Sequence, residues 1–307
     1  PYFYALSENK DFTFTPTLFS KSTKMIQTEF RQKNKNSFLT ADFGFSKDFK
    51  SSQINKKKNT YHFFSKFSKN LEFKDFIESS FNLFVEKVNK DTYLKIFDGS
   101  LASDSIKPPN ADILTSGFDF FIENESYKLS GGASVYEDLT KKQNDRYQYV
   151  FPYYNYSTNL KTYDFGSFDL SSKGNNTLNE TNKTKTEIIN NLNFKTNDKI
   201  LEKIGLKNNL NFYFKNSNSL GKNIPEYKNS PQVKFRSLVE FNSELPLIKI
   251  NEKNIETLIP RLSLKFNPSE MKDNSDANRK IDIDSIFDSN RLSLDDSLEP
   301  GKSITIG

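Results

Sequence analysis

The chain has 307 residues, enough for one large β domain or two ordinary ones, and 35% of them are hydrophobic, with 30 Phe and 14 Tyr. Its net charge of +5 comes from basic and acidic residues interspersed along the chain, which leaves no basic stripe with interleaved aromatics of the kind a nucleic-acid partner needs. Cysteine is absent, which excludes disulfides, thiolate metal sites and a Cys nucleophile, and the aromatic load argues against soluble disorder.

The opening stretch sets the pattern. In DFTFTPTLFS, Phe12, Phe14 and Leu18 share a face that Pro16 interrupts. In KMIQTEFRQK, Ile26, Thr28 and Phe30 oppose Gln27, Glu29 and Arg31; in SFLTADFGFSKDF, Leu39, Ala41, Phe43 and Phe45 oppose Thr40, Asp42, Gly44 and Ser46. Period two predicts strands with one apolar and one polar face. A proline cannot donate to a ladder, so Pro16 marks a sheet edge, a bulge or a weak seam, and the first strand is expected to pair imperfectly.

Residues Ser51–Thr60 read as a polar, basic loop. Tyr61, Phe63, Phe67, Leu71 and Phe73 then resume the alternation against His62, Lys66, Ser68, Asn70 and Glu72, with Phe64 the one apolar exception on the polar side. Asn70–Val88 fits helical and strand spacing equally. Further strands are predicted over Leu114–Ile122, Tyr127–Leu139, Tyr147–Tyr156, Tyr163–Ser171, Leu206–Phe214, Val233–Phe241 and Leu258–Phe266, before a polar, acidic loop from Asn267 to Ser285. Strand-plus-turn units of roughly 20 residues place about a dozen to sixteen strands in this length. No repeat period of a propeller or solenoid is present.

No apolar run reaches the length of a transmembrane helix, but a tilted membrane strand needs only about 9–11 residues, half of them polar. Phenylalanine on so many faces would overfill the interior of a small soluble barrel or sandwich. Turned toward lipid, the same faces leave the polar sides lining water. The expected fold class is therefore all-β, an antiparallel transmembrane β-barrel, with a general porin or a soluble β-sandwich binding module as alternatives. The chain opens on Pro1 without a signal sequence and stops inside the alternating run SITIG, so it reads as a segment of something longer.

Few residues invite a chemical role. His62 is the sole histidine and sits in a Phe-rich strand. Asp273, Asp276, Asp282 and Asp284 lie in a loop without the glycine and closing Glu of an EF-hand, so the stretch reads as solvated. The sequons at Asn175, Asn179 and Asn182 follow from Asn/Thr abundance, and Gly131-Gly132 follows strand alternation rather than a phosphate loop. No enzyme signature, cofactor site or metal site is expected.

Several segments resemble the lipopolysaccharide-assembly family LptD: PYFYALSENKDFTFTP (Pro1–Pro16), EFRQ (Glu29–Gln32), VNKDTYLKIF (Val88–Phe97), RYQYVFPYYNY (Arg146–Tyr156), LIPRLSLKFNP (Leu258–Pro268) and DSIFDSNRLSLDDSLEPGKSITIG (Asp284–Gly307). They run in family order and favour strand for Asn70–Val88. The resemblance implies that residues 1–307 are the N-terminal part of a large, here incomplete, outer-membrane barrel that delivers lipopolysaccharide to the outer leaflet. It implies a periplasmic jelly-roll domain before this segment, linking to the periplasmic Lpt bridge, and closing C-terminal strands after it. It also implies an LptE-type lipoprotein plug in the lumen, outer-membrane lipids around the wall, and a lateral gate whose weakening prolines correspond to Pro1 and Pro16. The aromatic pattern and the Lys/Asn-rich loops depart from the family's usual residues.

Overall fold

The computed structural model describes residues 1–19, 23–51, 54–101, 105–250, 254–269, 280–293 and 298–307. Its strands are β1 (Tyr2–Ser7), β2 (Lys10–Leu18), β3 (Lys24–Lys33), β4 (Ser37–Ser51), β5 (Ile54–Asn70), β6 (Glu78–Val88), β7 (Ile113–Glu123), β8 (Tyr127–Asp138) and β9 (Tyr147–Tyr163). They continue with β10 (Gly166–Asn179), β11 (Lys183–Thr196), β12 (Lys199–Leu201), β13 (Leu206–Lys222), β14 (Gln232–Glu244), β15 (Leu247–Ile250), β16 (Ile255–Leu258), β17 (Arg261–Asn267) and β18 (Gly301–Ile306). One short helix, α1 (Tyr93–Ile96), lies between β6 and β7.

Among the described residues, sixteen strands form one sheet in the order β1 to β11, β13, β14, β17, β18, with β12 pairing β13 off that path. Neighbours with a recorded register are antiparallel, for example β3 to β4 from Lys24↔Lys47 to Lys33↔Phe38. β15 and β16 make a separate two-stranded ribbon. The chain is therefore all-β around a large antiparallel sheet, and the strand number agrees with the count expected from length.

Two compact units divide the chain: residues 1–154 with 175–186 and 221–226, and residues 155–174 with 187–220 and 227–307. In the first unit, one end of the sheet carries the connections 8–9, 34–36, 71–77 and 124–126, while the other carries the short β4–β5 connection and the long one between β6 and β7, described over 89–101 and 105–112. That segment folds back onto one sheet face. Tyr93, Leu94, Phe97 and Leu101 bury there against Met25, Phe64, Val88, Leu114 and Leu139, forming the unit's hydrophobic cluster. In the second unit, residues 285–293 and 298–299 meet one face of β17: the Lys265 ammonium donates to the Asp288 carbonyl, and Asn267 Nδ2 donates to the carbonyls of Leu298 (3.3 Å) and Glu299 (2.9 Å).

Several sequence expectations change. The proline-bearing strand is the second of the sheet, because the six residues YFYALS form β1 in front of it. The loop expected over Ser51–Thr60 is largely ladder: β4 runs to Ser51 and β5 starts at Ile54, with Ser46↔Thr60 and Ser51↔Ile54 paired, and residues 52 and 53 lie outside the described residues. Polar ends of long strands have no apolar period to betray them. Tyr163–Ser171 is split by a turn at 164–165, and Leu258–Phe266 is broken at Pro260, whose carbonyl accepts from the Leu245 amide at 3.0 Å. Only Glu78–Val88 of the ambiguous stretch is strand. The Gly131-Gly132 pair sits inside β8, where a Cβ on Gly132 would lie 2.2 Å from the Phe118 carbonyl oxygen, so close strand approach accounts for it.

Candidate functional site

On several strands of the sheet the apolar side is the more exposed one and the polar side is the buried one. On β3, β4 and β5 the direct pairs Ile26↔Phe45 and Phe43↔Phe63 share one face, and Ile26 and Phe43 each remain 44% exposed. The opposite face of the same strands carries Thr40, Asp42, Ser46, Thr60 and His62, all at or below 1% exposure. In the second unit, β17 repeats the arrangement: Leu264 and Phe266 are exposed while Ser263, Lys265 and Asn267 are buried. Phe212, Phe214 and Phe235 are exposed on the neighbouring strands, whereas Asn211, Lys215, Ser217 and Glu240 are buried. The alternation that sequence shows is thus present, with the apolar side open and the polar side covered.

Burying polar groups demands partners, and the covered face supplies them in part: among the described residues Asp42 Oδ1, Ser46 Oγ, Thr60 Oγ1 and Asn211 Oδ1 have none. In the first unit Asp42 Oδ2 lies 2.6 Å from His62 Nε2 and accepts from Gln27 Nε2 at 3.0 Å, while His62 Nδ1 lies 2.7 Å from the Tyr93 hydroxyl. Both imidazole nitrogens are satisfied when His62 donates from Nε2 to the carboxylate and Tyr93 donates to Nδ1, while Asp42 Oδ1 has no partner among the described residues. The imidazole also stacks on Phe64, with centroids 4.4 Å apart and planes 10° apart. Gly44 makes room for it: a Cβ there would lie 2.3 Å from His62 Cε1. Burial, reinforced by the Asp42 charge, pushes the Tyr93 hydroxyl well above the ordinary tyrosine range. His62 and Asp42 therefore fasten the 89–112 segment to the sheet.

A second latch on that segment lies at Arg146, whose Nη2 is 2.8 Å from Asp91 and whose Nη1 is 3.4 Å from Glu137; the bond to Asp91 raises the guanidinium further. Beside the fastened segment, a cleft of about 670 Å³ is lined by Lys66, Asn82, Glu86, Asp119 and Tyr136 among others. Asn82 Nδ2 donates to Asp119 within it at 2.9 Å.

The second unit's covered face centres on Glu240. Its carboxylate accepts from Asn211 Nδ2 (3.1 Å), Tyr213 OH (3.0 Å) and Ser263 Oγ (3.4 Å) and pairs with Lys265 Nζ at 3.4 Å, both charged side chains being under 5% exposed. Arg291 and Glu299 form a bidentate pair in the segment laid over it. Asp282 accepts from the Ser285 amide at 2.8 Å and the Asp284 amide at 3.1 Å, which holds its carboxyl below the usual range. It caps a turn; Asp273 and Asp276 lie outside the described residues. No group of three or more potential metal ligands occurs among the described residues.

The sheet's first edge is β1, exposed along its whole length, with Tyr2 at 70% and Tyr4 at 65%. Its ladder with β2 runs from Tyr2↔Phe14 to Ser7↔Lys10, with an irregularity between Ala5 and Ser7. Pro16 lies two residues beyond that ladder, exposed and opposite Ile26 of β3, and Pro1 precedes β1. Register thus brings both prolines to the end where β1 and β2 part. Sequence reasoning missed Tyr93, Leu94 and Phe97, although Phe64 among the polar residues signalled that something apolar lands on that face.

No family model matches the chain, and no curated protein matches it.

Proposed function

We propose that this chain is wall of an outer-membrane β-barrel that carries lipopolysaccharide to the outer leaflet, with the β1 edge as one lip of a lateral exit. One observation carries the membrane half of this reading: the sheet exposes Phe43, Phe63, Phe212, Phe214, Phe235 and Phe266 and buries Asp42, His62, Glu240 and Lys265. In water the exposed face would cost about 25 cal/mol per Å² of apolar area; against hydrocarbon that cost disappears. The longest connection of the first unit, between β6 and β7, suits the longer outer loops of such barrels.

The lipopolysaccharide half rests on the resemblance of the six segments to the LptD family. In this reading the sugars follow the polar face, where the cleft around Lys66, Asn82, Glu86 and Asp119 offers hydrogen-bonding partners, and the acyl chains leave sideways past β1. An LptE-type lipoprotein would complete the lumen, and a periplasmic bridge would deliver substrate through the family's jelly-roll domain. A soluble sandwich would need two large sheets meeting through their apolar faces; the described residues form one large sheet and a two-stranded ribbon.

Pro16 supplies the test. A missing ladder bond is worth about 0.5–1.5 kcal/mol in water and more in lipid. Pro16→Thr gives β2 a backbone donor just beyond its ladder with β1 and is expected to slow arrival of lipopolysaccharide at the cell surface, read by surface labelling of newly made lipid. Delivery at the wild-type rate would remove Pro16 from the gate.

A further inference from the structure

Lys24 and Lys47 stand directly opposite one another on β3 and β4, both exposed. Strand alternation puts them on the open face: the next pair inward on the covered face is Met25↔Ser46, fully buried, and the next on the open face is Ile26↔Phe45. Leu18, 75% exposed, is the β2 partner of Lys24, and Tyr61, 42% exposed, is the β5 partner of Phe45. Two cations therefore crown an apolar patch at the end of the sheet from which residues 89–112 emerge. Like charges directly opposite across a strand pair destabilise it. Neither lysine has an ion pair among the described residues.

We propose that Lys24 and Lys47 bind the phosphate of an acylated lipid whose chains lie along Leu18, Ile26, Phe43 and Phe45. The chemistry requires both parts. A phosphate bridging two ammonium groups removes their repulsion, and hydrocarbon immediately below covers the exposed sides of Leu18, Ile26 and Phe43. Tyr61 stands at the level where amphipathic rings sit in membrane interfaces. This inference rests on the membrane reading above and adds to it a defined contact with one lipid headgroup in the leaflet at the loop end.

The test uses the whole chain folded in neutral detergent, titrated with short-chain phosphatidic acid, with diacylglycerol of the same chains, and with inorganic phosphate. Phosphatidic acid is expected to bind most tightly, and the double variant K24Q/K47Q to bind it roughly 30-fold more weakly (about 2 kcal/mol at 1.4 kcal/mol per tenfold). The control K33Q/K35Q, at the opposite end of β3, is expected to bind like wild type. Equal affinity of K24Q/K47Q for phosphatidic acid overturns the proposal. So does inorganic phosphate binding as tightly as the lipid, since the site would then hold a free anion. Flotation with phosphatidylcholine vesicles separates the two levels: a folded chain that does not insert sinks the membrane reading and this site with it, whereas an inserted chain without lysine-dependent binding sinks the site alone.

Discussion

Replacing Tyr93 with phenylalanine keeps the ring that packs 4.7 Å from Phe97 and removes one atom, the hydroxyl 2.7 Å from His62 Nδ1. His62 is wholly buried, so its Nδ1 is left without a partner, a loss of about 1–3 kcal/mol. Removing the imidazole instead, in His62→Ala, strips the buried Asp42 carboxylate of its partner at 2.6 Å and leaves only Gln27, besides opening a cavity against Phe64. That change is expected to cost about 3–5 kcal/mol. Because the lost contacts fasten residues 89–112 to the sheet, the effect should be local opening of that segment. At 1.4 kcal/mol per tenfold, amide exchange across residues 93–101 should accelerate roughly 5- to 150-fold in Tyr93→Phe, and more in His62→Ala. Hydrogen exchange of the detergent-folded chain, read by mass spectrometry, measures this. Unchanged exchange at residues 93–101 in His62→Ala would refute the assignment of the Asp42–His62–Tyr93 chain as the fastening.

Other expectations concern the same packing. The raised Tyr93 pKa means its neutral form is favoured in the folded chain, so its contribution is intact below the unfolded tyrosine value near 10 and is lost as pH rises above it; alkaline titration should release residues 93–101 before the strands, and Tyr93→Phe should abolish that step. Gly44→Ala places a methyl 2.3 Å from the His62 ring and should destabilise the first unit by about 1–3 kcal/mol, seen as an earlier denaturant midpoint. Lys265→Met leaves the Glu240 carboxylate with neutral donors only and should cost about 3–5 kcal/mol, part of which Glu240→Gln in the same chain should restore.

Much of the sheet was legible because its exposed face is aromatic. Phe43, Phe45, Phe63, Phe212 and Phe214 stand two residues apart in strands long enough to repeat the signal. Where that aromatic load thins, legibility failed. β11 (Lys183–Thr196) is dominated by Lys, Thr and Asn and escaped notice, as did the end of β4 past Phe49 and the start of β5 before Tyr61, and β15 and β16 were too short to register. The covering segment was invisible for another reason. α1 has four residues, less than the helical period needs to declare itself, and the bond it makes joins His62 to a tyrosine 31 residues away. Pro16 was read as a sheet edge, a bulge or a weak seam; the β2–β3 ladder runs through Pro16↔Ile26 without a register shift, and its place in the second strand depended on recognising YFYALS as a strand of its own. His62 was placed on the polar face from sequence; that this face is buried depends on residues 89–112, which no local pattern discloses.

The orientation of the two sheet faces can be measured directly, since the chain has no cysteine and single cysteines carry spin labels without background. Labels at Phe43, Phe63, Phe214 and Leu264 in vesicles should relax strongly with dissolved oxygen and weakly with a water-soluble nickel chelate. Labels at Lys66, Ser68 and Asn82, on the other face around the cleft, should show the reverse preference. An oxygen-accessible Phe43 alternating with a nickel-accessible Lys66 supports phenylalanines facing hydrocarbon. Labels at Phe43 and Phe214 shielded from oxygen and lipid alike would mean that the phenylalanines pack in an interior, and the transport reading would fall.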